Sequence, residues 1–161
     1  MRFDKLTTKF QQAFADAQSL AIAKDHPAIE PQHLLLALLQ DAQSGTGALL
    51  AKAGVNSPAL LRDLEQSIKT LPTQTQATGE VSVSSELAKL LNLTDREASK
   101  RGDAYIASDL FLLILADAKD ATGRLLRTHG GDKKTIEAAI NTVRGGDSMQ
   151  SAEGESQHQA L

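Results

Sequence analysis

The residues best suited to binding a metal ion lie close together near the start of the chain. Two imidazoles and two carboxylates, a mixture that can ligate divalent cations, are supplied by Asp25, His26, Glu30 and His33. Their spacing matches no established ligand motif. A histidine near the start of a helix is more often structural or solvated than a metal ligand. We therefore expect no metal site in this chain.

No arrangement typical of a hydrolase or a nucleotide-binding enzyme occurs in the sequence. Serine and histidine are present, but no G-x-S-x-G motif places a serine on a strand-to-helix turn. The glycine pairs at 130–131 and 145–146 are not followed by the Lys-Ser or Lys-Thr of a phosphate-binding loop. Asp103 and Asp109 could form an acid–base pair, although helix capping and solvation explain both carboxylates equally well. We predict no catalytic residue, no cofactor and no enzymatic activity for these 161 residues.

The composition excludes further classes of function. The chain has 20 Asp and Glu residues and 17 Lys and Arg residues, which gives a formal charge of −3. Binding to nucleic acid is therefore disfavoured. The longest apolar runs, 34–39 and 110–116, are far shorter than the roughly 20 residues that cross a bilayer. The chain has no cysteine for a disulfide or a zinc site, and its first residues lack a signal-peptide core. We expect a cytoplasmic protein that makes no contact with a membrane.

The chain contains an internal duplication. A shift of 77 residues superimposes Ala21 on Ala98, Ile29 on Ile106, Leu35 on Leu112, Leu36 on Leu113 and Leu38 on Leu115. After a one-residue gap the match continues and aligns Gly54 with Gly130. The metal candidates are not repeated, since His33 corresponds to Leu110. Two units are too few for a solenoid, so two similar halves packed on one core are expected.

Each half is predicted to contain four helices. Aromatic residues make up only 3% of the chain, so Ala and Leu must form the core, and this composition favours helices over sheets. In the first half, apolar spacing and helix signals predict helices over about 6–20, from Pro31, over about 46–53 and from Ser57. In the second half they predict helices over about 85–101, after Ser108, up to Gly130 and after Asp132. The expected fold is all-α, a pseudo-twofold bundle of two four-helix units.

The predicted helices divide the chain into a helical domain and a polar tail. The domain covers residues 1–144, with repeat one at about 3–72, a connector at 73–82 and repeat two at about 83–144. Residues 145–161 are rich in Gly, Ser, Gln and Glu, and they offer few apolar side chains to offset the entropy of ordering. We expect this tail to be a flexible linker that leads to a further domain absent from these 161 residues.

Four segments of the chain carry a resemblance to a known family. They are Met1 to Thr7 (MRFDKLT), Asp16 to Ala21 (DAQSLA), Ile29 to Leu39 (IEPQHLLLALL) and Lys100 to Asp103 (KRGD). These segments resemble the N-terminal domains of the ClpB family, the bacterial disaggregases among the Clp-type AAA+ chaperones, and the resemblance covers essentially the whole chain. The sequence is thereby identified as a member of the Clp N-domain family.

The resemblance implies a role in substrate capture. ClpB-type proteins form homohexameric rings that use ATP and Mg to thread aggregated polypeptides through a pore, together with the DnaK system. Their N-terminal domains bind unfolded or aggregated clients, while the ATP sites lie in other domains. The family's polar client-handling positions fall on Thr7, Asp103 and Asp109, and the last of these is commonly Glu in the family. The positions of a neighbouring apolar groove fall on Leu91 and Leu110.

Other interpretations of the same residues remain open. Thr7 and Asp109 are equally compatible with helix capping, and Leu91 and Leu110 with an ordinary core. An adaptor-docking domain of a protease-linked Clp unfoldase would use the same fold to bind one folded partner. An enzyme is the third possibility, and a positive screen for metal or nucleotide binding would favour it.

Overall fold

The computed structural model describes residues 3–74 and 80–155 of the chain. This part contains eight α-helices, which confirms the predicted all-α fold. The first half holds a 3-10 turn at Phe3–Lys5, α1 (Thr8–Ala23), strand β1 (Ala28–Ile29), α2 (Pro31–Gln40), α3 (Thr46–Lys52) and α4 (Ser57–Lys69). The second half holds strand β2 (Ser82–Val83), α5 (Ser85–Lys100), α6 (Ser108–Ala116), α7 (Ala121–Thr128) and α8 (Lys133–Arg144).

The helix ends follow the capping signals of the sequence. Pro31 is the first residue of α2, where the missing N–H costs no hydrogen bond. Asp132 caps α8 by accepting a bond from the N–H of Thr135. The predicted first helix, over about 6–20, included Thr7. In the structure Thr7 precedes α1 as its N-cap, and its hydroxyl accepts the N–H of Phe10 at 3.2 Å. The start of α1 is therefore fixed by Thr7.

The two halves exchange the segments that precede their first helices. Strand β2 pairs in parallel with β1, and Val83 lies opposite Ile29. In the other half, Leu6 forms a parallel bridge with Ile106. The shift of 77 residues converts Leu6 into Val83 and Ile29 into Ile106, so the second contact repeats the first. The duplication thus folds as a pseudo-twofold pair in which each half begins on the surface of the other.

The apolar helices α2 and α6 lie at the centre of the molecule. Almost every residue of both helices is buried, which explains why they are hydrophobic on all sides. Phe10 of α1 packs on Phe111 of α6 with ring centroids 6.0 Å apart, and both side chains are fully buried. One continuous core therefore joins the two repeats.

The loops after α3 and α7 approach each other closely. Gly54 and Gly130, which correspond in the two repeats, have φ angles of +86° and +104°. A Cβ atom on Gly130 would lie 3.0 Å from the carbonyl oxygen of Gly54. Glycine is required at Gly130 both for the left-handed backbone and for this contact between the repeats.

The C-terminal segment, defined as residues 147–155, packs against the helical body. Here the structure differs from the expectation of a flexible linker: the Met149 side chain is 1% exposed and Glu155 is 8% exposed. The N–H of Thr8 also donates to the carbonyl of Ala152 at 2.9 Å. Composition could not reveal this packing, because main-chain hydrogen bonds hold much of the segment. Residues 156–161 of the expected tail and 75–79 of the expected connector lie outside the described residues.

Candidate functional site

Thr7 and Ser108 meet at the point where α1 and α6 begin. Glu155 of the C-terminal segment joins them: its Oε1 accepts the hydroxyl of Thr7 at 2.6 Å and the backbone N–H of Ser108 at 3.1 Å. The hydroxyl of Ser108 donates to Oε2 of the same carboxylate. All three residues are buried. One carboxylate thus accepts three hydrogen bonds from two helix starts.

Burial dominates the electrostatics of Glu155. Removal from water raises the pKa of this carboxyl group, and the nearby Asp109 raises it further. The hydrogen bonds from Ser108 and Thr7 oppose this shift without cancelling it. Protonation of Glu155 is therefore easier in the docked segment than in water.

Arg144 gathers the two predicted aspartates. Its guanidinium donates from Nε and Nη2 to the two oxygens of Asp109, at 2.7 and 2.8 Å. Its Nη1 donates to Asp103 at 2.9 Å. The side chain of Asp103 is fully buried and that of Asp109 is 15% exposed. These carboxylates raise the pKa of Arg144 against the opposing effect of burial, so the cation is secure.

The C-terminal segment contacts this site largely through its main chain. The carbonyl of Met149 accepts the N–H groups of Ala104 and Tyr105, at 2.7 and 3.1 Å. The N–H of Met149 donates to the remaining oxygen of Asp103 at 3.0 Å. None of these bonds depends on the side chains of the segment. The site can therefore hold an extended peptide without selecting its sequence.

The side chain of Met149 borders an apolar recess of the site. It forms one wall of a cavity of about 380 Å³ between α3, α6 and α8, which is also lined by Leu49, Leu112 and Val143. Asp109 and Arg144 lie on the wall of the same cavity. An apolar recess is thus adjacent to the main-chain donors and the charged cluster.

The structure places Leu91 and Leu110 in the core and not on an open groove. Leu110 is fully buried and Leu91 is 4% exposed. Leu110 directly follows Asp109 in α6, but its side chain packs in the core with the other buried residues of that helix. Of the five sequence-predicted residues, Thr7, Asp103 and Asp109 come together around the C-terminal segment. Asp103, predicted as a polar client-handling position, has a buried carboxylate that is paired with Arg144.

The metal candidates near α2 form a hydrogen-bonded histidine pair. His33 Nδ1 accepts the N–H of Glu30 at 2.8 Å, and its Nε2 lies 2.8 Å from Nδ1 of His26. Burial, together with His26 and Lys24, lowers the pKa of His33 to about 4. Among the residues that the structure describes, no three His, Asp or Glu side chains gather in a way that could hold a metal ion. These histidines stabilise the start of α2.

Four residues of the site were missed in the sequence: Ser108, Arg144, Met149 and Glu155. Met149 carries a detectable signal, because it is an isolated large apolar residue in a polar tail. Arg144 ends α8 directly before Gly145, in a position that sequence alone links to no aspartate. Ser108 and Glu155 offer no local pattern, since their contact spans 47 positions of the chain.

The fold and the duplicated helical unit agree with a known family of chaperone domains. The family model for the Clp repeat N-terminal domain matches residues 5–129. The chain therefore belongs to the Clp repeat N-terminal domain family. Among its curated relatives are the chaperone proteins ClpB of Pseudomonas putida, with 45% identity, and of Vibrio cholerae, with 41% identity. Both matches cover 100% of this chain and 19% of the relative, at its N-terminal part.

Solved structures share the same fold. The Hsp104 N-terminal domain from Candida albicans superimposes with a TM-score of 0.81 at 20% identity, covering 94% of this chain and 99% of that domain. The N-domain of ClpV from Vibrio cholerae gives a TM-score of 0.74 at 20% identity, covering 92% and 90%. A third match, with a TM-score of 0.69, is a ClpV N-domain in complex with a VipB peptide. In residues 3–74 and 80–155, no helix has the length and apolarity needed to span a bilayer.

Proposed function

We propose that this chain captures unfolded or aggregated polypeptides as the N-terminal domain of a ClpB-type disaggregase. The observation that carries the proposal is the site at the starts of α1 and α6, where main-chain N–H groups, the hydroxyls of Thr7 and Ser108 and an apolar recess contact the C-terminal segment. An unfolded client presents main chain everywhere and apolar side chains at intervals, but no fixed sequence. These features match a site that recognises backbone and one apolar side chain.

Each contact of this kind is weak, and weakness suits the role. An apolar side chain contributes roughly 25 cal/mol per Å² of buried area, and the client must be released again for threading. Several copies of the domain around a ring would raise the local concentration of binding sites and give avidity without tight capture. We propose that the parent protein is a homohexamer that supplies ATP and Mg sites in other domains and works with the DnaK system in the cytoplasm.

The five predicted residues divide into two roles in this proposal. Thr7, Asp103 and Asp109 form and orient the client site together with Ser108 and Arg144. Leu91 and Leu110 support it from the core. The charged groups act mainly by fixing geometry, because Arg144 is paired with both aspartates.

The test is a titration of the intact chain with a permanently unfolded probe, fluorescently labelled lactalbumin that has been reduced and carboxymethylated. We expect saturable binding that unlabelled unfolded chains of unrelated sequence displace. Binding that only one folded partner displaces would favour the alternative, an adaptor-docking domain of a protease-linked Clp unfoldase. The solved complex of a ClpV N-domain with a VipB peptide supports this alternative, because a domain of this fold is bound there to a single peptide.

A further inference from the structure

We propose that the C-terminal segment, residues 147–155, is an intramolecular competitor that occupies the client site until a client displaces it. This inference rests on the proposed function of that site. The segment takes the same donors that an extended client would use, namely the N–H groups of Thr8, Ala104 and Tyr105. Its one large buried apolar side chain, Met149, also lines the recess.

The chemistry of the segment suits reversible docking. Its main-chain bonds to Ala104, Tyr105 and Asp103 are independent of its own side chains, so another extended chain can form them equally well. Its buried side-chain anchors are Met149 and Glu155. Two exposed side chains between them add weaker contacts, since Gln150 donates to the carbonyl of Gly102 and Glu153 accepts the hydroxyl of Thr8. A segment with so little apolar surface is held by a small free energy, and this allows exchange with a client.

Competition between the C-terminal segment and clients determines which client segments bind best and how their affinity is regulated. The preferred client segment carries an apolar residue where Met149 lies and an acceptor where Glu155 lies, and it turns between them as residues 151–153 do. The apparent affinity for a client is lowered by the fraction of molecules in which the site is open. Any event that removes the segment therefore raises client affinity without changing the site.

A reversible disulfide can lock the segment in place, since the chain has no cysteine of its own. Thr8 and Ala152 are suitable positions because their main chains are joined by a 2.9 Å hydrogen bond. The double variant Thr8→Cys/Ala152→Cys is compared oxidised and reduced, with loss of free thiols as proof of closure. Its matched control is thus the same molecule with the bond open.

A second pair of variants opens the site. Met149→Asp puts a charge into the apolar recess beside two carboxylates and should release the segment. Ser151→Asp makes the same change of charge at an exposed position of the segment and should not. Limited proteolysis within residues 147–155 reports release directly. The probe for all four proteins is the reduced and carboxymethylated lactalbumin.

We expect the oxidised lock to bind the probe at least tenfold more weakly than its reduced form. Met149→Asp should bind about tenfold more tightly than Ser151→Asp, since burial of a methionine shifts an equilibrium by at least that factor. Equal affinities within both pairs, or a segment that stays protected in Met149→Asp, would overturn the inference. If Met149→Asp releases the segment and still no protein binds the probe, the proposed function itself fails.

Discussion

Glu155 is bound to Ser108 at the first turn of α6 through both the backbone N–H and the hydroxyl of the serine. The two residues are 47 positions apart, and their contact closes the C-terminal segment over the start of the helix. Because Thr7 donates to the same carboxylate, the contact also reaches α1 in the other repeat. Docking of the segment therefore depends in part on the titratable carboxyl group of Glu155.

Acidification is expected to hold the C-terminal segment more firmly. The docked pKa of Glu155 lies above the ordinary 4.5, so the docked state binds a proton more readily than the released state. The resulting stabilisation is present at low pH and is lost as the pH rises through the docked pKa. Asp109 is the charged group that raises the pKa of Glu155 further, and Lys52, Asp109, Arg144 and Asp147 line the same cavity as Glu155. The rate of proteolysis within residues 147–155 should therefore rise with pH.

The variant Glu155→Gln provides the control for this effect. Its amide oxygen can still accept the Thr7 hydroxyl and the Ser108 N–H, but the side chain does not titrate. We expect its proteolysis rate to be independent of pH after correction for the protease. A pH dependence equal to that of the original chain would show that another group controls docking.

Loss of Arg144 is expected to destabilise the whole domain. Arg144→Met leaves Asp103 and Asp109 largely buried without their cation, and removal of one partner from a buried ion pair costs about 3–5 kcal/mol. Urea denaturation measures the free energy of unfolding. Arg101→Met is the matched control, because Arg101 pairs with Glu97 and Glu137 at a more exposed site and should cost less than about 1 kcal/mol. Similar losses in both variants would argue against a special role for the Arg144 cluster.

Leu110→Gln tests whether Leu110 supports the site or contacts clients. Because Leu110 is fully buried, the amide would lose its hydrogen bonds with water, and we expect a cost of several kcal/mol, about 3. Leu93→Gln on α5 is the control, since Leu93 is 37% exposed and should change stability by no more than about 0.5 kcal/mol. A stable Leu110→Gln variant that binds the probe poorly would restore the apolar groove predicted from the sequence.

The histidine pair predicts a pH effect of the opposite sign. The pKa of His33 is lowered from 6.5 to about 4, so the unfolded chain binds a proton more readily than the folded one in this range. Its contribution to stability is present above pH 6.5 and is lost as the pH falls toward 4. In the Glu155→Gln background, the free energy of unfolding should decrease over this window. His33→Leu, which copies the residue found at Leu110 in the other repeat, should flatten the decrease. An unchanged slope would assign the effect elsewhere.

Much of the fold could be predicted because its signals are local or repeated. Pro31 and Asp132 mark helix starts through backbone chemistry, and the duplication fixes the number of helices. The exchange of Leu6 and Val83 between the repeats could not be predicted, since two residues of strand carry no periodicity of their own. For the candidate site, the family resemblance named Thr7, Asp103 and Asp109, whose role in client binding stays a prediction, and it could not tell which side chains would be buried.

The C-terminal segment shows why composition alone was insufficient there. The small number of apolar residues in this segment predicts a mobile chain. The carbonyl of Met149 nevertheless accepts two N–H groups, and its buried side chain lines a recess between three helices. Main-chain hydrogen bonds leave no trace in a sequence. The partners of Arg144 could not be predicted for a different reason, since Asp103 and Asp109 are 41 and 35 positions away along the chain.

Amide hydrogen exchange with and without the unfolded lactalbumin probe tests the central claim most directly. In the free chain, the amides of Ala104 and Tyr105 are protected by the carbonyl of Met149, and the amide of Met149 is protected by Asp103. If the probe replaces the C-terminal segment, Ala104 and Tyr105 stay protected while Met149 begins to exchange freely. Saturation with probe that leaves Met149 protected and slows exchange on a different surface would contradict the account.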